Sequence, residues 1–242
     1  MIGSERPTVH VIHLYAHDMN VYGDWGNVLT LTRRLDWRGY DVRLTRYDTG
    51  DSLPRDPDII VGGGGQDSGQ EKIQTDLLAI GPQLVDLAEQ GVPMLMICGL
   101  YQMFGKFFRT AEGRTIRGIG MLDIETSAGP ERLIGNIVTH NALGDVVGYE
   151  NHSGRTFLGD GVRPFATVVR GAGNNGLDAT EGAVRKEVIG SYLHGPLLPK
   201  NPAVADQLIE RAVTRRFGGC SPVAIDDRLA ALASRVAARR PR

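Results

Sequence analysis

Cysteine is scarce in this sequence, which holds only Cys98 and Cys220 among its 242 residues. A fold stabilised by disulfides would need more cysteines at this length, and a metal cluster would need a recurring Cys/His spacing that the sequence lacks. We therefore expect a reducing, cytoplasmic setting and no metal bound by this chain.

Long hydrophobic runs and an excess of charge of either sign are also absent. No apolar run approaches the ~20 residues of a membrane span, and Met1–Pro7 lacks the apolar core of a secretory signal peptide. Lys and Arg number 27 and Asp and Glu number 28, so the formal net charge is -1. The sequence thus predicts a soluble protein without a transmembrane segment and without affinity for nucleic acid.

Short apolar runs alternate with amphipathic stretches over the first hundred residues. Strands are predicted at Thr8–Leu14, Asp41–Arg46, Asp58–Val61 and Met94–Ile97, and helices at Asn27–Arg38 and Ile73–Gln90. This alternation indicates βαβ units and a mostly parallel sheet.

The second half of the chain is richer in strands that are separated by Gly, Asn and Asp turns. Strands are predicted at Leu133–Thr139, Asp145–Glu150, Phe165–Arg170 and Glu187–Leu193, and helices at Ala203–Arg216 and Asp226–Ala238. We predict a single α/β domain, with a mixed, mostly parallel sheet flanked by helices and an antiparallel extension. Residues 1–7 would be an N-terminal tail, 8–217 the domain, and 218–242 a C-terminal helical segment with a basic tail.

Three junctions that follow predicted strands carry residues suited to acyl transfer: Gly62–Gly65, Cys98-Gly99 and His194-Gly195. The carboxyl ends of parallel strands meet at one edge of a sheet, where ligands bind, so these junctions are expected to meet in space. A thiol at a strand-to-helix turn is favoured as thiolate by the helix N-terminus. Backbone N–H groups of a glycine run can approach a developing oxyanion.

Each of these features also has a purely structural interpretation. Cys98 can be a small buried hydrophobic residue, His194 a satisfied structural group, and the glycine run a tight turn or a phosphate cradle. No Lys-Ser/Thr follows the glycines and no Gly-x-Gly-x-x-Gly opens a helix, which argues against ATP and dinucleotide sites. The combination of the three junctions, in this order, is what favours a catalytic site.

The combination resembles the class I glutamine amidotransferases, in the branch of the cobyrinate and cobyric acid synthase glutaminases. Residues 93–102 (PMLMICGLYQ), 148–156 (GYENHSGRT) and 191–195 (SYLHG) match this branch in three segments. A narrower resemblance, to the glutaminase subunits of lipid II isoglutaminyl synthases, is carried by the stretch from His13 to Asn27, by Arg132-Leu133 and by residues 194–201 (HGPLLPKN). The likeness extends from about Thr8 to Ala212.

The resemblance implies a glutaminase site and assigns roles to individual residues. Cys98 would be the nucleophile that attacks the amide of L-glutamine, and His194 would relay a proton to the departing ammonia. Backbone N–H groups of Gly99 and of the Gly63/Gly64 region would bind the oxyanion. Arg132 would hold the substrate α-carboxylate or be a surface arginine of a hairpin. Gln102 would line the pocket or pack on its own helix, and His152 would contact substrate or fix a hairpin.

The sequence departs from the class pattern at two places. Met96 and Leu100 stand where the nucleophile turn usually has glycines. Pro196 stands where the class has a glutamate that orients the histidine, and proline cannot accept a hydrogen bond from its side chain. The missing carboxylate would come from elsewhere in this chain, such as Glu150, or from a partner subunit, or be absent.

The same resemblance implies a partner. A Mur-ligase-like subunit would form a heterodimer with this chain, bind ATP and Mg, and use the ammonia to amidate D-glutamate of lipid II to D-isoglutamine. The chain itself would need no cofactor, and the complex would work at the inner face of the cell membrane. The alternatives are a glutaminase for corrinoid amidation and a non-catalytic, flavodoxin-like binding module.

Overall fold

A computed structural model of the chain describes residues 6–219 and 223–241, so Cys220 lies outside the described residues. The strands are β1 (Thr8–Leu14), β2 (Asp41–Tyr47), β3 (Ile59–Gly62), β4 (Met94–Ile97), β5 (Phe107–Arg109), β6 (Thr115–Arg117), β7 (Ile124–Asn141), β8 (Gly144–Leu158), β9 (Ala166–Arg170), β10 (Thr180–Glu181), β11 (Ala183–Arg185) and β12 (Val188–Ser191). The helices are α1 (Trp25–Trp37), α2 (Asp67–Glu89), α3 (Gly99–Phe104), α4 (Pro202–Phe217) and α5 (Arg228–Arg239), and a 3₁₀ turn spans Leu198–Lys200.

The first sheet has the strand order β11-β12-β4-β3-β1-β2. Its five strands from β12 to β2 are parallel, and only the edge strand β11 is antiparallel. Strands β3, β4 and β12 are buried along their whole length, as expected for a parallel sheet covered on both faces. The predicted α/β class and mostly parallel sheet are therefore confirmed, and β1 and β4 have the predicted bounds.

The predicted antiparallel extension is mainly a second sheet of its own. Its order is β10-β9-β7-β5-β6, with β8 paired to β7. The long β7–β8 hairpin shifts register between Ala128 and Leu133, so the residues between them form a bulge. A bulge re-aims the side chains of the extra residues, and here they include Arg132.

Helix α2 begins at Asp67, six residues before the predicted start at Ile73. The apolar stripe on which the prediction depended is missing from its first turns, which hold polar residues next to the candidate site. An acidic residue in the first turn suits the positive end of the helix dipole. The short helix α3 follows Cys98, as the predicted strand-to-helix turn requires. Its bounds were not predicted, because six residues are too few to show a helical period.

The parallel sheet places four junctions at one edge. Strands β1, β3, β4 and β12 end there at Leu14, Gly62, Ile97 and Ser191. The candidate site lies above this edge, and the β7–β8 hairpin of the second sheet lies against it through a backbone bridge between Tyr149 and His194. Within the described ranges, no helix is long and apolar enough to cross a membrane.

Candidate active site

Cys98 lies at the sharp turn between β4 and α3, where its backbone has φ 51° and ψ -103°. A residue with a Cβ rarely adopts a positive φ, and such strain costs of order 1–3 kcal/mol. The turn is held by hydrogen bonds from the Cys98 N–H to the Ser191 carbonyl (2.8 Å) and from the Gln102 N–H to the Cys98 carbonyl (3.0 Å). The strained turn thus presents the thiol above the carboxyl edge of the sheet.

Glycines on the neighbouring strands make room for the bulky residues of this turn. Gly62 and Gly190 are the register partners of Met96 on its two sides. A Cβ on Gly62 would lie 2.3 Å from Leu100 Cδ1, and a Cβ on Gly190 would lie 2.0 Å from the ring of Tyr101. The adjacent strands therefore supply the space that Leu100 and Tyr101 need.

His194 lies next to Cys98, as expected for junctions that meet at one edge of the sheet. Its backbone exchanges two hydrogen bonds with Tyr149 of β8, at 2.9 and 3.2 Å, and its ring centroid is 4.5 Å from that of Tyr22. A Cβ on Gly64 would lie 2.8 Å from His194 Cε1 and 3.1 Å from Cys98 Cβ. The glycine loop therefore approaches both side chains closely, and only glycine fits there.

Asp24 supplies a carboxylate that the sequence analysis did not name. It is the N-cap residue of α1 and is fully buried. Its Oδ1 lies 3.8 Å from Nδ1 of His194, and its Oδ2 accepts a hydrogen bond from the Gly64 N–H at 2.7 Å. Pro196 packs against the first turn of α1, since a Cβ on Gly26 would lie 2.3 Å from Pro196 Cγ. A carboxylate thus reaches His194 from α1, where position 196 provides none.

Glu150, the in-chain carboxylate that the sequence offers for this role, is used elsewhere. It is fully buried and accepts hydrogen bonds from the backbone N–H groups of Ala172 and Gly173 at 2.9 to 3.2 Å. This carboxylate anchors the loop after β9. The carboxylate beside His194 is that of Asp24.

The charges around His194 favour its protonated form. Burial alone lowers the pKa of the imidazole, but negative charge on Cys98 and Asp24 outweighs burial and raises that pKa to about 10. A protonated imidazole is the form that can give a proton to a leaving group. Neither ring nitrogen has a hydrogen-bond partner among the described residues, and 3.8 Å is too long for a hydrogen bond to Asp24. The ring is therefore held by packing and charge.

The glycine loop can offer an oxyanion the N–H of Gly65, whereas the N–H of Gly64 was expected. The Gly64 N–H is donated to Asp24, so it is not available to an oxyanion. The N–H groups of Gly65 and Gly99 have no acceptor among the described residues. A Cβ on Gly99 would lie 3.1 Å from the Gly65 nitrogen, so these two N–H groups are close neighbours. Gly63 shapes the loop against Met19 and Asp24, which a Cβ there would meet at 2.3 and 2.7 Å.

A cavity of about 520 Å³ opens above Cys98. Arg132, in the β7–β8 bulge, lies on its wall, and the guanidinium donates from Nε and Nη2 to the side-chain and backbone oxygens of Asn151 at 2.8 to 3.1 Å. Asp67, the first residue of α2, lines the same cavity. Burial and nearby Glu112 raise the pKa of the Asp67 carboxyl, while the positive charge of Arg132 opposes this shift. The cavity therefore holds one cationic and one acidic group near the thiol.

Gln102 both lines this cavity and packs within α3. Its Nε2 donates to the Tyr192 hydroxyl (3.0 Å), and its Oε1 accepts from Gln70 (2.8 Å). His152 also lines the cavity and stacks on Tyr192, with ring centroids 3.6 Å apart. Burial lowers the pKa of His152 to about 3, so this ring is neutral. These residues form a polar layer beneath the cavity.

Sequence reasoning missed Asp24, Tyr22 and Asp67, and it named Gly65 only as a member of the glycine run. One feature of the sequence could have pointed to Asp24: it lies inside the stretch from His13 to Asn27 that resembles the lipid II-type subunits. An aspartate just before a helix is most simply interpreted as a helix cap. Nothing in the local sequence indicates that Asp24 would lie beside His194, which is far along the chain.

Residues 10–202 match the family model described as CobB/CobQ-like glutamine amidotransferase domain. Subunit GatD of the glutamine-hydrolysing lipid II isoglutaminyl synthase from Staphylococcus aureus (strain N315) is 37% identical over 219 residues, which cover 90% of this chain and 89% of that protein. The GatD subunit from Streptococcus pneumoniae is 37% identical over 214 residues, which cover 87% of this chain and 82% of that protein. A probable cobyric acid synthase from Methanothermobacter thermautotrophicus is 35% identical over 171 residues, which cover only 33% of that protein.

Solved structures share the fold at low sequence identity. A glutamine amidotransferase from Thermotoga maritima superposes with a TM-score of 0.54 at 15% identity, covering 95% of this chain and 93% of that one. The glutaminase domain of CTPS from Trypanosoma brucei, with bound acivicin, has a TM-score of 0.54 at 11% identity and covers 88% and 98%. The family match and the GatD relatives confirm the resemblance indicated by the motifs, and this chain belongs to the CobB/CobQ-like glutamine amidotransferase family.

Proposed function

We propose that this chain is a glutaminase subunit that hydrolyses L-glutamine to glutamate and ammonia. The observation that carries the proposal is the placement of Cys98, in a strained strand-to-helix turn, beside the buried His194. Asp24 lies behind the histidine and Arg132 lies in the cavity above the thiol. The decisive assay is glutamate release from glutamine by the wild type and by Cys98→Ala.

In the proposed reaction, the Cys98 thiolate attacks the side-chain amide carbon of glutamine. The carbonyl oxygen gains negative charge and is stabilised by the N–H groups of Gly65 and Gly99, each donor being worth ~3–4 kcal/mol. The C–N bond then breaks as His194 gives its proton to the nitrogen, which leaves as ammonia. Water next attacks the thioester while the neutral His194 takes its proton, and C–S cleavage yields glutamate and restores the thiolate and imidazolium.

The zwitterionic end of glutamine fits the charged wall of the cavity. The Arg132 guanidinium, whose plane is fixed by Asn151, binds the α-carboxylate, and the Asp67 carboxylate faces the α-ammonium group. Asp24 stabilises the positive charge of the imidazole, as the aspartate of a catalytic triad does. Gln102 and His152 support the floor of the site.

We further propose that the ammonia is used by a Mur-ligase-like subunit in a heterodimer, which amidates D-glutamate of lipid II to D-isoglutamine. The support is the similarity to the GatD subunits over nearly the full length of both chains. ATP and Mg would bind the partner. The corrinoid alternative is less well supported, because the alignment covers only a third of the cobyric acid synthase. Purification of the tagged chain from its host, followed by an assay of glutamine-dependent lipid II amidation, tests this partner.

A further inference from the structure

The imidazole of His194 lacks the hydrogen bonds that would fix its orientation. Within the described residues, neither of its ring nitrogens has a hydrogen-bond partner, and the Asp24 carboxylate lies 3.8 Å from its Nδ1. The residue at position 196, where the class has an orienting glutamate, is a proline. A general acid that rotates freely points its proton at the substrate only part of the time, so the reaction needs another contact that holds this ring.

The aromatic ring of Tyr22 provides such a contact. Its centroid lies 4.5 Å from that of the His194 ring, and the two ring planes are inclined at 50°. A cation within about 6 Å of an aromatic centroid is attracted to the negative face of the ring. Because the charges of Cys98 and Asp24 favour the protonated form of His194, the contact with Tyr22 stabilises both the position and the charge of the imidazole.

The loop between β1 and α1 holds Tyr22 in this place. On one side of Tyr22, the Val21 N–H bonds the carbonyl of Gly64 at 3.2 Å. On the other side, the Trp25 N–H bonds the side-chain oxygen of Asn20 at 2.8 Å. A Cβ on Gly64 would lie 3.2 Å from Tyr22 Cδ2. The glycine loop therefore packs directly against the Tyr22 ring, and the hydrogen bonds of the flanking residues limit its movement.

The hydroxyl of Tyr22 contacts a second group of the site, the Arg132 guanidinium. Tyr22, Cys98 and Arg132 all line the cavity of about 520 Å³. Burial, followed by the negative charge of Cys98, raises the pKa of the Tyr22 hydroxyl, while the charge of Arg132 and a hydrogen bond from its guanidinium act in the opposite direction. The hydroxyl is thus neutral at physiological pH, so it accepts from Arg132 and keeps its own O–H to donate.

Resting on the proposed function, we propose that Tyr22 joins the two ends of the substrate site. Its ring holds the His194 imidazolium in place, and its hydroxyl, held by Arg132, donates a hydrogen bond to the α-carboxylate of glutamine. His194 acts at the amide end of glutamine and Arg132 at the α-carboxylate end, so a residue that contacts both keeps them at a fixed spacing. Asn151 takes up Nε and Nη2 of Arg132, and the Tyr22 hydroxyl supplements the remaining Nη1 donor.

Substitutions at position 22 of the full-length chain separate the two roles. Tyr22→Phe keeps the ring and removes the hydroxyl, whereas Tyr22→Leu removes both. Replacing Tyr22 by phenylalanine with one, two or three fluorine atoms weakens the negative face of the ring in steps, while the size of the ring hardly changes. Phe157→Leu is the matched control, because Phe157 is an exposed aromatic residue on β8.

The measurements are the kinetics of glutamate release, Tm, and the NMR titration midpoint of the His194 ring. The other titratable groups that act on this imidazole are unaltered in the fluorinated series: Cys98, Asp24, Glu181 and His152. A change in the midpoint along the series therefore reports on the face of the Tyr22 ring.

We expect Tyr22→Phe to raise KM by about threefold with kcat within about twofold of the wild type, and Tyr22→Leu to lower kcat by about tenfold. The titration midpoint of His194 should move to lower pH with each added fluorine, because a weaker ring face stabilises the imidazolium less. Tm should stay constant across the fluorinated series, and Phe157→Leu should behave as the wild type.

An equal midpoint throughout the fluorinated series would overturn the role of the ring, even if Tyr22→Leu fails to fold. An unchanged KM in Tyr22→Phe would overturn the role of the hydroxyl. A lower kcat in Tyr22→Leu without any movement of the midpoint in the series would mean that Tyr22 only supports its loop. Wild-type glutamate release that survives Cys98→Ala would refute the proposed function itself. The midpoint series needs no turnover, so it tests Tyr22 independently of that result.

Discussion

Oδ1 of Asp24 and Nδ1 of His194 face each other across 3.8 Å in the buried interior, although they belong to the first and the last strand–helix junctions of the parallel sheet. The separation is close enough for a strong charge interaction and too long for a hydrogen bond. A shift of less than about 1 Å would bring the pair within hydrogen-bond distance. The geometry therefore describes a charge-paired histidine that is not yet fully oriented.

Asp24→Asn removes the negative charge and keeps an oxygen that can accept the Gly64 N–H. We expect kcat for glutamate release to fall by ~10²–10⁴, the range seen when a triad carboxylate is lost, with a small change in Tm. Glu150→Gln is the comparison, because it should lower Tm more than kcat. Normal turnover by Asp24→Asn would exclude Asp24 from the reaction.

The protonation of His194 should depend on Cys98 and Asp24. Their negative charges hold its pKa at about 10 against the effect of burial, so removing either charge destabilises the imidazolium and lowers the pKa. NMR titration of the His194 ring should show a charged ring through pH 8 in the wild type. In Cys98→Ala, and in Asp24→Asn, the midpoint should move to lower pH. An identical midpoint in all three proteins would contradict the ion-pair description.

Cys98 should be the only cysteine that reacts as the nucleophile. We expect Cys98→Ala to abolish glutamate release, and a glutamine-mimicking electrophile to label Cys98 and leave Cys220 unmodified, as peptide mass spectrometry would show. Cys220→Ala is the control and should retain activity. Labelling mainly at Cys220 would overturn the assignment.

Arg132→Lys should weaken glutamine binding, because an ammonium cannot reproduce the bidentate contact of a guanidinium with a carboxylate. We expect KM to rise by about tenfold, with kcat less affected and Tm unchanged. Arg155→Lys is the matched control, since Arg155 lies in the same hairpin and bonds backbone carbonyls. Ordinary saturation kinetics for Arg132→Ala would show that Arg132 does not bind the substrate.

The partner should raise the turnover of this chain, because docking can shorten the 3.8 Å separation between Asp24 Oδ1 and His194 Nδ1. We expect glutamate release by the isolated chain to be about tenfold slower or more than in the complex at the same glutamine concentration. The Asp24→Asn variant separates two mechanisms. Activation that persists in this variant means that the partner lends its own carboxylate, whereas activation that disappears means that the partner acts through Asp24. Equal turnover with and without the partner would refute both.

Most of the fold and several residues of the site could be predicted from the sequence. Strands β1 and β4 are short apolar runs with clear turn residues on both sides, and the resemblance identified Cys98 and His194 through segments that lie directly beside them. Because these features are local in the sequence, they can be predicted from it.

The rest depends on contacts between distant parts of the chain. Asp24 reads as a helix cap until the sheet order brings α1 next to the end of β12. Gly64 looks like an oxyanion donor until its N–H is seen to bind Asp24. Strands β5 and β6 have three residues each, too few for a periodic pattern, which hid the separate second sheet.

The three groups to which we assign the reaction come from the early, middle and late parts of the domain, at positions 24, 98 and 194. A nascent chain of which only the first two thirds have been synthesised lacks His194. A fragment that ends after α1 lacks both Cys98 and His194. Glutamine hydrolysis therefore begins only when the whole parallel sheet has assembled. Because the three groups are dispersed along the chain, glutaminase activity would serve as a measure of completed folding.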